Sequence, residues 1–228
     1  MDNYTGIANL EVMREAENYN RFLVDLVLSN ARPNDQIVDF GAGAGTFAIP
    51  VAAAGHSIVC VEPDATLSAY LSAIGMRVLE DLGQVGDASV DYVYSLNVLE
   101  HIADDASIVR LWHRKLRRGG RLLVYVPAFS VLFSSMDRKV GHFRRYRASL
   151  LNNMLRAAGF AIQTSRYVDS LGFLATLVYK AFDKGSGDIN VGMLKLYDRT
   201  VFPVSRLLDG IFEGLGGKNV YVVATKAS

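Results

Sequence analysis

The sequence has very little cysteine and no large excess of charge of either sign. Cys60 is the single cysteine among 228 residues, so an intramolecular disulfide cannot form, and the sequence predicts a protein of the reducing cytoplasm. The formal net charge of +1 gives no general attraction for nucleic acid. These two absences argue against a disulfide-stapled secreted fold and against a nucleic-acid-binding protein.

Long hydrophobic runs are also absent, and neither a signal peptide nor a membrane-spanning segment is predicted. The N-terminal segment lacks an apolar core and carries four acidic residues: Asp2, Glu11, Glu15 and Glu17. The most apolar late stretch, residues 171–179, is far shorter than the about 20 residues that span a bilayer. The sequence shows no internal repeat, and its length fits one domain over residues 1–228.

Two motifs of nucleotide-binding proteins are missing as well. No Gly-Lys-Ser/Thr is present, which excludes a P-loop, and the glycines at 41, 43 and 45 do not have the Gly-x-Gly-x-x-Gly spacing of dinucleotide binders. What is present is a short, mostly apolar run with one acidic residue, residues 37–40, that leads into these three glycines. This pattern predicts a buried parallel strand that enters a tight turn and a helix, where open α/β sheets hold nucleotide-like ligands.

Two acidic residues indicate the kind of ligand. Asp39 lies at the carboxyl end of the first predicted strand, where its charge disfavours a pyrophosphate and favours an ammonium group. Glu62 ends the second predicted strand and can accept hydrogen bonds from both hydroxyls of a ribose. A ligand with a ribose, no phosphate and a cationic amino-acid end is S-adenosylmethionine.

These residues are part of a wider resemblance. Together with Pro63, the segments Asn-Val-Leu-Glu-His-Ile (97–102) and Leu-Arg-Arg-Gly-Gly-Arg-Leu (116–122) resemble class I S-adenosylmethionine-dependent methyltransferases of the small-molecule type, over residues 30–169. The resemblance implies an α/β fold: a Rossmann-like, seven-stranded, mostly parallel sheet with helices on both faces. It also implies S-adenosyl-L-methionine as the cofactor and S-adenosyl-L-homocysteine as the product.

The resemblance further implies which residues hold the cofactor. They are expected to be Tyr19, Asp39, Gly41, Ala42, Gly43, Gly45, Glu62, Pro63, Asp81, Leu82 and Asn97. Asp81 and Leu82 follow a short third strand and would line the adenine, although Asp81 is equally typical of a turn in an Asp-Leu-Gly loop. Tyr19 belongs to an N-terminal helix that either covers the cofactor or only packs on the sheet edge.

A charged loop after the fifth predicted strand, residues 137–147, is the candidate catalytic segment. His142 is the preferred proton acceptor, with Tyr146 as its orienting group or its alternative. Arg144 or Arg145 is expected to pair bidentately with a carboxylate or phosphate of the acceptor. The alternative is a surface loop whose arginines cap the edge of the sheet.

Two further expectations concern the chemistry. His101 is the second candidate for the base, although in resembling sequences it commonly packs beneath the cofactor. No metal ligands are predicted. The chain lacks the Asn/Asp-Pro-Pro-Tyr/Phe tetrapeptide with which resembling enzymes methylate exocyclic amines of bases, and this absence again argues against a nucleic-acid substrate.

The expected domain has four parts: an N-terminal helical cover (1–30), a cofactor-binding core (31–169), a helical cap insertion (170–218) and the last strand (219–228). The insertion is longer and more apolar than a plain core requires. It is interpreted as a cap over the active site, as the surface of a homodimer, or as an amphipathic contact with a membrane or a lipid-like substrate.

The sequence therefore predicts an enzyme that moves a methyl group to a small-molecule acceptor, by O- or N-methylation in a biosynthetic pathway. The arginine-rich loop beside an apolar insertion favours an acidic or partly apolar acceptor. The alternative is a catalytically silent, methyltransferase-like binding or regulatory module. The intact Asp39, glycine turn and Glu62 speak against that alternative, because a silent copy has no need of them.

Overall fold

A computed structural model describes residues 12–182, 185, 187–188, 190–210 and 216–227. The expectations for residues 1–11, including Asp2 and Glu11, and those for residues 211–215 of the insertion lie outside the described residues.

Seven strands form one sheet: β1 (Gln36–Phe40), β2 (Ser57–Val61), β3 (Arg77–Leu79), β4 (Val90–Leu96), β5 (Leu116–Pro127), β6 (Phe160–Val168) and β7 (Asn219–Lys226). Their order is β3-β2-β1-β4-β5-β7-β6, and β7 runs antiparallel to both of its neighbours while the other pairs are parallel. The chain changes direction across the sheet between β1 and β4, which opens a crevice at their carboxyl ends. The predicted mostly parallel, seven-stranded sheet is confirmed.

The helices are α1 (Glu17–Asn30), α2 (Ala48–Ala53), α3 (Ala65–Ala73), α4 (Asp105–Lys115), α5 (Ser135–Lys139), α6 (Ala148–Ala157), α7 (Ser170–Phe182), α8 (Val191–Leu196) and α9 (Phe202–Asp209). Short 3-10 turns lie at Leu82–Gln84, Leu99–His101 and Ser130–Leu132. Among the described residues, every helix is too short or too polar to traverse a bilayer.

Two hydrophobic clusters place helices on both faces of the sheet. Successive residues of a strand point to opposite faces, so Tyr92 joins one cluster and Val93 the other. The first cluster includes Leu23 of α1, together with residues of α2 and α3. The second includes Trp112 of α4 and Leu151 of α6. All seven residues of β4 are buried, which makes this strand the centre of the core.

The helix before β5 ends earlier than the sequence predicts. Acidic residues at its start and basic residues at its end predict one helix over residues 104–118, followed by a turn at Gly119 and Gly120. In the structure α4 ends at Lys115, and the chain enters β5 at Leu116. Leu116 already pairs with Val90, and the register then shifts before Tyr92 pairs with Arg121. The extra residues lie in an irregular start of the strand, so the boundary depends on pairing with β4.

The insertion before β7 is helical, as predicted. It contains α7, α8, a π-helical turn at Tyr197–Val201 and α9. Pro203 lies in the first turn of α9, where its missing N–H group is not needed. The insertion also caps α1: the Asp198 carboxylate accepts hydrogen bonds from the main-chain N–H groups of Asn18 and Tyr19, both at 2.9 Å.

Replacing Asp198 with alanine is expected to lower the free energy of unfolding by about 1–2 kcal/mol, because two N–H groups at the start of α1 lose their acceptor. Urea unfolding followed by circular dichroism measures the change. The control is Asp25→Ala, since Asp25 is exposed on the same helix. Equal stability of the two variants would contradict a capping role for Asp198.

Candidate functional site

The glycine turn after β1 needs glycine because of its backbone and its neighbours. Gly41, Gly43 and Gly45 have φ values of +83°, +55° and +77°, in the left-handed region. A Cβ atom on Gly41 would also collide with Cγ2 of Val98, in the segment after β4. The turn therefore brings the ends of β1 and β4 together, with Ala42 buried between the first two glycines.

Glu62 is fixed beside this turn. Its Oε2 accepts a hydrogen bond from the Gly43 N–H group at 2.7 Å, and its Oε1 accepts one from the Asp64 N–H group at 2.9 Å. Burial raises the pKa of Glu62, and these two hydrogen bonds oppose the rise. Each oxygen keeps a second lone pair, so the carboxylate can still accept from ligand hydroxyls. Pro63 follows on the exposed surface.

Asp39 is a buried carboxyl group with an unused acceptor. The residue is 2% exposed, and its Oδ2 atom has no hydrogen-bond partner of normal geometry among the described residues. The Tyr94 hydroxyl on the neighbouring strand interacts with the carboxyl group and opposes the rise of its pKa. Burial raises the pKa of Asp39 to about 7, and the charge of Glu62 adds to the rise. A cationic N–H donor at this point would satisfy Oδ2 and stabilise the ionised form. The orphaned oxygen thus suits the ammonium group of S-adenosylmethionine.

Tyr19 and Asn97 meet over the carboxyl end of β4. The Asn97 side-chain amide donates to the Tyr19 hydroxyl at 3.1 Å, and the Asn97 backbone has a φ of +56°. The Tyr19 ring makes edge-to-face contacts with Tyr125 of β5 and Phe202 of α9, with centroid distances of 6.1 and 5.6 Å. Helix α1 and the insertion therefore both contribute to the wall above this strand.

Asp81 and Leu82 lie in the turn after β3. Asp81 caps the 3-10 turn that follows it by accepting from the Gly83 N–H group, as the turn alternative predicted. Leu82 is 1% exposed and packs into the hydrophobic core. Asp81 is itself exposed, so its second oxygen is available to a ligand, whereas Leu82 offers little surface.

The loop after β5 is organised by a residue that the sequence did not single out, Asp137. Its carboxylate accepts from Nε and Nη2 of Arg145 at 2.8 and 3.0 Å, and it lies 2.7 Å from Nδ1 of His142. Burial opposes its ionisation, but the hydrogen bonds of His142 and Arg145 together hold the pKa of Asp137 well below its usual range. His142 is therefore oriented by Asp137 rather than by Tyr146.

Two arginines of this loop, Arg144 and Arg145, are engaged within the protein, whereas Arg138 and Arg147 are exposed. Arg145 pairs with Asp137, and Arg144 pairs with Asp105 at 2.7 Å and donates to the Ala103 carbonyl at 2.8 Å. Asp137 takes the bidentate face of Arg145, and both terminal nitrogens of Arg144 are engaged within the protein. These contacts correct the expectation that either guanidinium is presented to an acidic acceptor.

Tyr146 is also held inside the protein. Its hydroxyl donates to Asp105 at 2.9 Å and lies 3.2 Å from the Leu99 carbonyl oxygen. Burial raises the pKa of Tyr146, and its contact with Asp105 adds to the rise, so its hydroxyl stays protonated. This placement corrects the expectation that Tyr146 replaces His142 as the base.

Glu100 and His101 complete the surroundings of His142. The Glu100 carboxyl group is fully buried, and burial raises its pKa to about 8. Its Oε1 atom lies 3.8 Å from Nε2 of His142, and the ring centroids of His101 and His142 are 4.6 Å apart. Burial lowers the pKa of His101 to about 4, and the charge of His142 contributes to that shift. Sequence reasoning missed Glu100; a carboxylate between apolar residues just after a buried strand was the available signal.

Comparisons with known proteins agree with this geometry. A family model described as "Methyltransferase domain" matches residues 14–165. A "probable S-adenosylmethionine-dependent methyltransferase" of Mycobacterium tuberculosis is 32% identical over 132 residues, which cover 54% of this chain and 48% of that protein. A "ubiquinone biosynthesis O-methyltransferase" of Rhizobium etli is 30% identical over 107 residues, which cover 42% of this chain and 43% of that protein. The chain thus matches about half the length of these curated relatives.

Among solved structures, a chain in the complex of the Haloferax volcanii Trm112 methyltransferase activator with a candidate methyltransferase has a similar fold. The TM-score is 0.68 at 15% identity, over 100% of this chain and 99% of that chain. The fold is that of a class I methyltransferase, the class whose cofactor is S-adenosylmethionine. This chain belongs to the methyltransferase-domain family.

Proposed function

We propose that this chain transfers a methyl group from S-adenosylmethionine to an oxygen or nitrogen atom of a partly apolar small molecule. The observation that carries the proposal is the combination of a buried Asp39, whose Oδ2 atom has no partner among the described residues, with a Glu62 carboxylate anchored to the glycine turn. Together they present two acceptors at the carboxyl ends of neighbouring strands. S-Adenosylmethionine, when bound, supplies a methyl group already activated by its sulfonium.

The proposed cofactor contacts follow from the positions of the side chains. Asp39 accepts from the ammonium group, and Glu62 accepts from the two ribose hydroxyls. The glycine turn, from Gly41 to Gly45 with Ala42 between, lets the backbone approach the ligand closely. Asn97 and Tyr19 close the amino-acid end, while Pro63, Asp81 and the edge of Leu82 border the adenosine. In this arrangement residues 1–30 act as a cover and residues 170–218 as a cap on the core.

His142 is the proposed proton acceptor. Asp137 holds its Nδ1–H group, which leaves the lone pair on Nε2 for the proton of the acceptor's hydroxyl or amine. Arg145 acts on His142 indirectly, because it positions Asp137 and compensates the charge of the Asp137 carboxylate. Tyr146 positions the same loop through Asp105. Both are therefore proposed as positioning residues. Alignment of the acceptor with the methyl group provides much of the rate acceleration of methyl transfer.

The partly apolar character of the acceptor is supported by aromatic side chains beyond β5. The Phe129 ring stacks on Tyr167 with a centroid distance of 4.6 Å and meets Phe173 of the insertion edge-on at 5.4 Å. Arg144 and Arg145 are paired internally, so these two guanidinium groups do not favour an acidic acceptor. The Rhizobium relative, named as an O-methyltransferase, favours oxygen over nitrogen.

The alternative, a silent binding module, makes a different prediction. A silent module would bind the cofactor or nothing and transfer no methyl group. Incubation with S-adenosylmethionine labelled in the methyl group, and a panel of a phenol, a catechol and an arylamine, each with and without a carboxylate, separates the two functions. Label in any acceptor supports an enzyme. Absence of label from the whole panel, with intact cofactor binding, favours the silent module.

Binding of S-adenosylhomocysteine is expected to be about tenfold tighter at pH 8 than at pH 6. Asp39, with its pKa raised to about 7, is mostly protonated at pH 6 and must lose that proton to pair with the ammonium group. Calorimetric titration at both pH values measures the difference. NAD in a parallel titration is expected not to bind.

The matched control for this pH dependence is Asp39→Asn, which should bind more weakly and equally at the two pH values. The same pH dependence in the variant would show that another group is responsible. Binding of NAD in place of S-adenosylhomocysteine would overturn the assignment of the site.

A further inference from the structure

Three donor atoms converge beside the proposed acceptor site. Glu100, His101 and His142 each offer one ligand atom, and these atoms all lie within 4.8 Å of one another. Glu100 and His101 come from the 3-10 turn after β4, and His142 comes from the loop after β5, so the cluster joins two neighbouring strand ends. Four-coordinate zinc with bonds of about 2.0–2.1 Å places its ligand atoms about 3.3 Å apart. The Glu100–His142 distance of 3.8 Å is already close to that spacing.

Glu100 itself indicates a missing partner. Its side chain is fully buried, and no other described residue donates a hydrogen bond to either carboxylate oxygen. A buried carboxylate without donors is costly, and native proteins pair such groups or use them to coordinate metals. The oxygen that faces Nε2 of His142 points into the cluster.

The groups behind the two histidines complete the arrangement. Asp137 holds Nδ1 of His142 at 2.7 Å, which directs the Nε2 lone pair towards Glu100. Main-chain groups of Val140 and Gly141 hydrogen-bond to the His101 ring. Metal-bound histidines almost always donate their second N–H group to a carboxylate or a main-chain carbonyl in this way, which fixes the tautomer and the ring orientation.

We propose that Glu100, His101 and His142 form a binding site for a divalent cation that prefers imidazole ligands, with zinc as its representative. Two imidazoles and one carboxylate are a ligand set that zinc uses with a fourth position left open. The sequence predicted no metal ligands, because residues 100 and 142 are far apart along the chain. The inference does not require the proposed methyl transfer. Because Nε2 of His142 has one lone pair, the cation and a proton compete for it.

Zinc binding to the purified full chain tests the proposal, measured by competition with a chromophoric chelator and by metal content after dialysis. One zinc per chain is expected, and magnesium in excess should not displace it, since magnesium prefers oxygen ligands. Glu100→Gln is expected to weaken zinc binding at least tenfold, and His142→Ala should abolish it. Glu17→Gln and His56→Ala are the matched controls, because both residues lie outside the cluster, and they should bind zinc as the unmodified chain does.

Titration with S-adenosylhomocysteine in the same preparations shows that each variant is folded and keeps this test separate from the proposed function. Zinc binding that is absent, or equal in Glu100→Gln and the unmodified chain, would overturn the metal site even if S-adenosylhomocysteine binds. Zinc binding that depends on Glu100 and His142 supports the site, whether or not S-adenosylhomocysteine binds. If S-adenosylhomocysteine does not bind to the unmodified chain, the proposed methyl transfer fails, and the metal site is still decided by zinc binding and its dependence on Glu100 and His142.

Discussion

Replacing His142 with alanine is expected to slow methyl transfer by about 10²–10⁴-fold while leaving the affinity for S-adenosylhomocysteine unchanged. The variant removes the proposed proton acceptor but keeps the Arg145–Asp137 pair, which holds the loop in place. Single-turnover transfer from labelled S-adenosylmethionine to the best phenol of the acceptor panel measures the rate. Calorimetry on the same preparation measures cofactor binding.

The pH dependence of this variant separates a base from a structural residue. As the pH rises towards the pKa of a phenol, about 10, the acceptor ionises in solution and no longer needs a base. The ratio of unmodified to variant rates should therefore fall as the pH rises. His56→Ala is the control, since His56 precedes β2 at the opposite end of the sheet. A ratio that stays constant with pH would contradict the assignment of His142 as the base.

Replacing Glu62 with glutamine is expected to weaken binding of S-adenosylhomocysteine about 100-fold. Hydrogen bonds to a charged group are worth about 1.5–3 kcal/mol each, and the proposed contacts with two ribose hydroxyls add up to a hundredfold or more. Glutamine also has one carbonyl oxygen where Glu62 uses two, so either Gly43 or Asp64 loses its acceptor. Calorimetry measures the affinity, and Glu17→Gln is the matched control on an exposed glutamate.

A second ligand shows which part of the cofactor each acid contacts. 5′-Methylthioadenosine contains the ribose and the adenine but lacks the amino-acid end. Glu62→Gln should weaken both ligands by the same factor, because both carry the ribose hydroxyls. Asp39→Asn should weaken S-adenosylhomocysteine alone. An equal loss of both ligands in Asp39→Asn would place Asp39 away from the ammonium group.

Much of the fold could be predicted from the sequence, because its signals are local. The sequence predicts the last strand within residues 219–228, and β7 is observed as Asn219–Lys226. An apolar run that follows a turn can be recognised without knowledge of a distant partner. The glycines at positions 41, 43 and 45 predicted a turn with left-handed backbone conformations, and all three adopt positive φ values. The start of β5 was not predictable, because it depends on pairing with β4.

In the loop of residues 137–147, the contacts of the charged side chains could not be predicted from the sequence. Its composition indicated a functional segment, but composition does not show which acidic and basic side chains form ion pairs. From the sequence, Arg145 could pair with a carboxylate of a ligand or with a carboxylate of the protein. Only the fold brings the Asp137 carboxylate within 3.0 Å of the Arg145 guanidinium. Removal of both groups from water together is favourable only with this fixed, bidentate geometry. The tertiary structure therefore changed Arg145 from an expected ligand contact into a positioning residue.

The sequence by itself determined the class of this protein: the alternating strands and helices, the glycine turn, and the two acids at strand ends that suit S-adenosylmethionine. Only the tertiary structure decided how residues distant along the chain combine. It brought Glu100 to His142, joined Asp137 to Arg145 and placed Asp198 of the insertion at the start of α1. The physical reason is that turns and strands follow from local backbone preferences. The energetic cost and the pKa of a buried ionisable group, by contrast, depend on the partners that folding places around it.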